Sequence, residues 1–384
     1  MNDLAKIVGG NIEKLRSQRG ISIAALAGVA GVTRQTMSKY IQGEQDIDTG
    51  KLFVLADYFG VSVDYFFDSV ECGDIAMTFR AFSPQLSFDE RTRSRVQARI
   101  KTYCDVLEIS GEENVIFNPE SYRLPFAKGN DLSPALKNLI EQIAFEQRAR
   151  LGIEDNNPDN LFELFDLKGI RVMGFPFEND RIFGVSAVSD EYGCFIVVND
   201  DPAISEERKI FSLVHEYAHL LFHRGEYKKN CDDLALESRR GSLKEKVADL
   251  FAGRFLVPRR LLELRLSEMG YIAKKPNLVC MMYLKKHFKV SLKAIIYALV
   301  ECGKLTRAEG NRFYERLAAR GYAKKEPAPI SPVDKNICFR ERVKRLYLSG
   351  EISVGMAAEL VDIPRAEFQK IAVQWLEEDG EPVA

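Results

Sequence analysis

The stretch LVHEYAHLLFHR, residues 213–224, holds three of the chain's four histidines: His215, His219 and His223. Each stands four residues from the next, and Glu216 directly follows the first. On a helix, positions four apart lie one turn apart on the same face. His215 and His219 then present two imidazoles toward one point, with Glu216 to the side. His-Glu-x-x-His is the order in which a helix holds zinc and sets a carboxylate to polarise a water. Phe211, Leu213, Val214, Leu220, Leu221 and Phe222 flank the motif, so the helix is expected to be buried. A buried helix rarely carries paired histidines and a glutamate without a partner for them.

Catalytic zinc normally takes three protein ligands and keeps a fourth position open. The downstream run SLKEKVADLFAGRFLVP (242–258) supplies a candidate third, Glu245, 26 residues past His219. Asp249 lies one turn further on the same face and suits the role of acceptor for a histidine N–H. Most helix carboxylates are simply solvated, but VADLFAGRFLVP is strongly apolar and places this helix in the core. His223 lies two turns beyond His215, poorly placed to share one tetrahedral ion with it. It reads as a substrate-side donor or a helix C-terminal cation rather than a spare ligand.

Residues 169–302 resemble the ImmA/IrrE family of zinc metallopeptidases. The resemblance rests on VVND (197–200), HEYAHLLFH (215–223), EKVADLFAGRFLVP (245–258) and KKHFKVSLKAIIYAL (285–299). It implies His215, His219 and Glu245 as zinc ligands and Glu216 as the catalytic carboxylate of a gluzincin-type site. Glu216 would take a proton from a zinc-activated water and later return it to the leaving amine. No residue is assigned to the oxyanion, because Tyr217 points from another helix face.

Around this centre the chain divides by pattern. Strand-like runs fall at 169–175, 182–188 and 194–199, and helices at 135–152, 206–224, 243–256, 258–268, 276–287 and 291–302. Near the start, NIEKLRSQRG (11–20) reads as an amphipathic helix. ISIAALAGVAGVTRQTMSKYIQGEQDI (21–47) has helix-turn-helix spacing. Ala25, Leu26 and Val29 are expected inward on the first helix, Gly31 at the turn, Val32 as the core plug, and Met37 and Ile41 on the second. Residues 11–67 resemble the Xre/Cro-type DNA-binding domain. That resemblance puts Thr33, Arg34, Gln35, Ser38 and Lys39 within reach of base edges or phosphates of a double-stranded operator. Residues 1–66 hold seven Lys/Arg and seven Asp/Glu, so DNA affinity is expected to be modest, salt-sensitive and helped by a homodimer. The other use of such a domain is protein docking.

Bulk composition excludes little. Hydrophobic residues make up 46%, charged residues 29%, and net charge is −2, so no global positive field marks a nucleic-acid or membrane partner. Seven scattered cysteines without a Cys-x-x-Cys pair argue against a disulfide framework and fit a reducing cytoplasm. The N-terminus is neither a signal peptide nor a membrane span. Near the other end, ISVGMAAELVDIPRAEFQKI (352–371) aligns without gaps to residues 21–40. It reads as a second helix-turn-helix or an ordinary helical hairpin, with Asp362 and Glu367 unfavourable to DNA contact.

The expected fold is mainly α with a small β-sheet. It comprises an all-α helix-turn-helix domain (1–68), a connector with a long helix (69–130) and an α+β zincin-like metallopeptidase domain (131–323). A linker and a small helical, helix-turn-helix-like tail (324–384) follow. The expected function is a cytoplasmic DNA-binding transcriptional regulator with a zinc (Zn2+) endopeptidase domain. Its substrate would be a repressor protein, or the chain itself, in a stress or mobile-element response. The rival readings are a repressor or antitoxin-like protein whose zinc domain only senses a ligand or partner, and a non-proteolytic metallohydrolase.

Overall fold

The computed structural model describes residues 3–18, 21–59, 63–67, 78–81, 90–111, 121–125, 132–179, 182–189, 191–224, 238–271, 273–322 and 325–378. Much of the 69–130 connector lies outside the described residues, as does Gly20. Packing divides the chain into two units, residues 1–76 with 88–99, and residues 77–87 with 100–384.

The first unit is helical: α1 (Asp3–Gln18), α2 (Ile23–Val29), α3 (Arg34–Ile41), α4 (Thr49–Phe59) and a 3-10 turn at Val63–Phe66. The oxygen of Ser22 caps α2 by accepting from the Ala25 amide, and Thr33 caps α3 by accepting from Thr36 at 3.2 Å. Such caps satisfy amides that the first helical turn leaves open. Between the two helices Gly31 adopts φ +65°, and the Val32 amide donates to the Ala27 carbonyl at 2.9 Å. Leu26, Ala27, Ala30, Met37 and Leu55 are buried. Two expectations need correction. Ala25 is exposed, because Leu26, Ala27 and Ala30 set the inward face, while Val29, Val32 and Ile41 are half-buried and pack against that core as expected. Helix α1 also starts eight residues earlier than its amphipathic run suggested.

The second unit is built on a four-stranded sheet of β1 (Thr78–Ala81), β2 (Ile170–Phe175), β3 (Gly184–Ser189) and β4 (Gly193–Asn199), in the order β1-β3-β4-β2. β2 runs parallel to β4, β3 antiparallel to β4, and β1 antiparallel to β3. Every residue of β2, β3 and β4 is buried, so these strands read as apolar runs rather than alternating ones. β1 falls in the stretch expected to be helix and turns.

The remaining helices are α5 (Glu90–Ser110), α6 (Pro134–Leu151), α7 (Leu161–Leu167), α8 (Glu206–Phe222) and α9 (Ser238–Leu256). Then follow α10 (Arg259–Glu268), α11 (Leu278–Phe288), α12 (Leu292–Glu301), α13 (Arg307–Ala319), α14 (Ile337–Leu348), α15 (Val354–Leu360) and α16 (Arg365–Glu378). α8 packs on β3, β4 and α9, while α9 packs on α6. Among the described residues no helix is long and apolar enough to cross a membrane.

The tail reproduces the cap of the first helix and the turn of the first helix-turn-helix 331 residues later, though Pro364 stands where Thr33 caps α3. Ser353 caps α15 by accepting from Met356, Asp362 takes φ +57°, and the Ile363 amide donates to Ala358. The segment before the tail is pinned to the N-terminus of α8. Glu207, fully buried, pairs with the equally buried Lys285 and accepts from the Ile330 amide at 3.0 Å. Glu206 accepts from Lys335 at 2.6 Å and from Lys209 at 2.9 Å.

Candidate metal centre

Helix α8 is held in place before it offers any chemistry. Ser205 caps its first turn, where Glu206 and Glu207 face the positive end of the helix dipole. From Ile210 to Phe222 every residue but Phe211 is buried. A helix buried on all sides is a core element, and its polar side chains must find partners within the protein.

They find one another. Nε2 of His215 lies 3.0 Å from Nε2 of His219 and 3.1 Å from Oε2 of Glu245, and Nε2 of His219 lies 3.5 Å from Oε1 of Glu245. Ligand atoms about 2.0–2.1 Å from a tetrahedral ion stand roughly 3.3 Å apart, which the three separations bracket. Nδ1 of His215 meets Oδ1 of Asp249 at 2.9 Å. That bond places the ring proton on Nδ1 and turns the Nε2 lone pair inward. Lone pairs and a carboxylate converging in a dry interior repel unless a cation joins them, so this donor set fits zinc. The electrostatics agree. Desolvation pulls the His215 pKa down, but the bonds from Asp249 and Glu245 outweigh it and raise it to about 9. Desolvation pushes the Glu245 pKa up, and the bonds from His215 and His219 outweigh it and hold it well below the carboxylate range. The Glu245 shift keeps that carboxylate anionic, as a cation-binding site requires, and the His215 shift records the carboxylates gathered around its ring.

Glu216 stands beside them and reaches β3. The hydroxyl of Ser186, itself fully buried, donates to Oε2 of Glu216 at 2.6 Å. A Cβ at position 184 would stand 3.0 Å from Cγ of Glu216, so Gly184 lets the strand approach the carboxylate. His215, Glu216 and His219 are also grouped by their metal-capable atoms. His223 is the C-cap of α8 and 2% exposed. Its Nδ1 faces Nδ1 of His219 at 2.9 Å, so its ring packs on the outer nitrogen of His219 rather than facing water. Tyr217 leaves from the opposite face and donates to Oε1 of Gln147 at 2.6 Å.

Three contributors had weak sequence signals. Ser186 is a polar residue amid an apolar strand. Asn199 ends β4; its Oδ1 accepts from the Phe177 and Asp201 amides, and its Nδ2 donates to the Asn179 and Ile182 carbonyls. This clasp fixes the loop that leads into Gly184. Arg208, two turns before His215 on the same helix face, lies over the Phe183 ring at 4.2 Å from its centroid. Desolvation lowers its pKa while the charge of Asp249 opposes that.

In the first unit, Thr33 spends its side chain on the α3 cap. Arg34, Gln35 and Lys39 are exposed and Ser38 is half-buried.

Residues 165–300 match the profile of the IrrE N-terminal-like domain, peptidase M78, and residues 12–66 match the helix-turn-helix profile. Over 64 residues, 17% of this chain, it is 36% identical to uncharacterized HTH-type transcriptional regulators of Rickettsia conorii and Rickettsia prowazekii. The match covers 51% and 49% of those proteins, so the chain spans about half the length of the curated relatives it matches. The crystal structure of Bacillus thuringiensis PlcR in complex with the peptide PapR7 and DNA aligns over 97% of this chain and 95% of that one. Identity there is 10% and the TM-score 0.19, too low to bear on the fold. The chain thus joins a helix-turn-helix domain to an IrrE-like domain.

Proposed function

We propose that this protein is a cytoplasmic DNA-binding transcriptional regulator, acting as a homodimer, whose second unit is a zinc endopeptidase. Its substrate is a repressor protein or a segment of this chain. One observation carries the enzymatic reading: the Nε2 atoms of His215 and His219 and the carboxylate of Glu245 converge within 3.5 Å, and the buried Glu216 stands beside them, held by Ser186. A purely structural site gains nothing from an additional buried carboxylate.

His215, His219 and Glu245 would hold the ion, and Asp249 would fix the His215 ring. When bound, zinc supplies Lewis acidity that brings the ionisation of water toward about pH 7. Glu216 holds the proton. Its Oε2 is engaged by the Ser186 hydroxyl, so Oε1 is the oxygen that accepts a proton and returns it to the leaving amine. Arg208, a cation on the same helix face, is placed to orient a carbonyl or a carboxylate of the peptide.

The DNA-binding reading rests on the helix-turn-helix profile together with the exposure of Arg34, Gln35 and Lys39. The test is elemental analysis of the purified protein, followed by comparison of wild type with Glu216→Gln. Equimolar zinc in both, with loss of protein-fragment production in the variant alone, supports the endopeptidase. Unchanged regulation and unchanged fragments in the variant would leave only a sensing domain.

A further inference from the structure

Arg208 stands on α8 two turns before His215, on the same helix face. Its guanidinium lies between two aromatic rings, 4.2 Å from the centroid of Phe183 and 5.7 Å from that of Phe211. The Phe211 ring is itself 6.2 Å from the His215 ring, centroid to centroid. A row of side chains thus runs from the guanidinium to an imidazole of the candidate metal centre. On the other side, Phe183 leads into Gly184, which faces Glu216. The Phe183 carbonyl accepts from the Asn199 amide at 3.0 Å, so the Asn199 clasp fixes this ring too. The cation is held in place before any substrate arrives.

Its own anion is missing. Among the described residues the guanidinium makes no ion pair and no hydrogen bond, and its Nε is buried without an acceptor. Desolvation lowers the Arg208 pKa, and Asp249 opposes this only through its field, from beyond ion-pair distance. A desolvated cation without a carboxylate is costly. Lys209, Lys285, Lys335 and Arg342 in the same unit are each buried against one. Arg208 departs from that pattern beside the centre. His215, Glu216 and His219 are almost fully buried, whereas the Asp249 side chain is 61% exposed. The open side of the centre is therefore the side whose charge Arg208 feels. Rings cover both faces of the guanidinium and leave its edge, whose paired N–H groups match the two oxygens of a carboxylate. A lone carbonyl fills part of that fork and leaves the charge uncompensated.

We propose that Arg208 is the specificity-determining residue of a subsite beside the metal centre that receives a carboxylate of the peptide. The substrate class is then a peptide that is acidic close to the scissile bond. This rests on the endopeptidase reading and deepens it. An aspartate or glutamate side chain and a free C-terminus present the same two oxygens, and the test tells them apart.

The test uses the full-length zinc-loaded chain and random dodecapeptide libraries, one blocked at both ends and one with free C-termini. Products of the blocked library are expected to show aspartate and glutamate favoured over asparagine and glutamine at one position near the cut. The preference should be about tenfold to a hundredfold, the worth of one charge-assisted hydrogen-bonded pair. Arg208→Gln is expected to lose it, and Arg208→Lys, which keeps the charge without the fork, to regain part of it. Zinc content should stay equimolar in every form. A preference confined to the free library, with cuts at a fixed distance from the end, assigns the carboxylate to the C-terminus. Cleavage without acidic preference in either library overturns the proposal. So does a preference that Arg208→Gln leaves intact, or a loss of rate in that variant equal for acidic and neutral peptides. Should no form cut any peptide, the endopeptidase reading fails and binding decides the subsite. Zinc-loaded Glu216→Gln is then expected to retain acidic peptides, and Glu216→Gln with Arg208→Gln to retain them no better than neutral ones. The same composition retained by both overturns the proposal.

Discussion

Nδ1 of His215 and Oδ1 of Asp249 meet at 2.9 Å, and Asp249 lies one helical turn beyond Glu245 on α9. One helix therefore supplies both a converging carboxylate and the group that orients an opposing ring. Outer partners of this kind typically change metal affinity about 10–100-fold. Asp249→Ala is expected to weaken zinc binding by that factor in a chelator competition, whereas Glu245→Ala abolishes stoichiometric binding. If Asp249→Ala binds zinc as tightly as wild type, Asp249 plays no part in the centre.

Ser186 donates to Oε2 of Glu216 at 2.6 Å. A hydrogen bond to a carboxylate favours ionisation and lowers its pKa. Removing it raises the pKa, and the carboxylate is needed in its basic form, so activity is lost at a higher pH on acidification. Ser186→Ala is expected to move the acidic limb of kcat/KM upward by up to about one pH unit, the size of one ordinary hydrogen bond. Zinc content should not change. A profile that drops in height without moving would mean that Ser186 only packs.

The centre was legible because its spacing is helical and its helix is apolar. The repeat of four in 215–223 places three rings on one face, and the run after Glu245 places a second helix in the core. β2, β3 and β4 were equally plain, as continuous apolar runs between Asp, Gly and Asn turns. β1 was not, because four residues are too few to show an alternation and are strand only through pairing with β3. α7 is seven residues long, under two turns, which is too short for a periodicity to mark it. α13 is mostly exposed, and its visible signal was the Thr306–Glu309 capping box. Ala25 misled because a small apolar residue in an Ala-rich run carries no information about facing. Asp362, read as a departure from the turn glycine, adopts the left-handed conformation all the same. Aspartate tolerates that region better than most residues.

Lys285 and Glu207 form an ion pair with both side chains fully buried, and the Ile330 amide shares the same carboxylate oxygen. Removing one partner leaves the other charged and unpaired in the interior, a loss of about 3–5 kcal/mol. Lys285→Ala is expected to cost that much in denaturant unfolding and to open the chain near residue 330 to limited proteolysis. Lys285→Met with Glu207→Leu should recover most of the stability, since well-packed apolar replacements of buried pairs are often neutral. It should still lose the tether at residue 330. If the double variant is as unstable as the single one, packing rather than charge holds this region.

On α3, Arg34 and Lys39 are exposed, flank a helix with no acidic residue, and begin at a cap that Thr33 already occupies. Cationic side chains on phosphates release counterions, about 0.9 per contact on duplex DNA. Lys39→Ala is therefore expected to weaken binding to every duplex alike and to reduce the slope of log affinity against log salt by about one. A guanidinium on a base edge discriminates by about 1–3 kcal/mol. Arg34→Ala should thus relax sequence preference as well as lower affinity, as read against a duplex selected from a random library by the wild type. Thr33→Ala acts differently: it removes the cap, costs about 1 kcal/mol of stability, and leaves the salt slope intact. Glu216→Gln should change none of these DNA measurements. Salt slopes identical in wild type and Lys39→Ala would place α3 away from the phosphates and favour protein docking by the first unit.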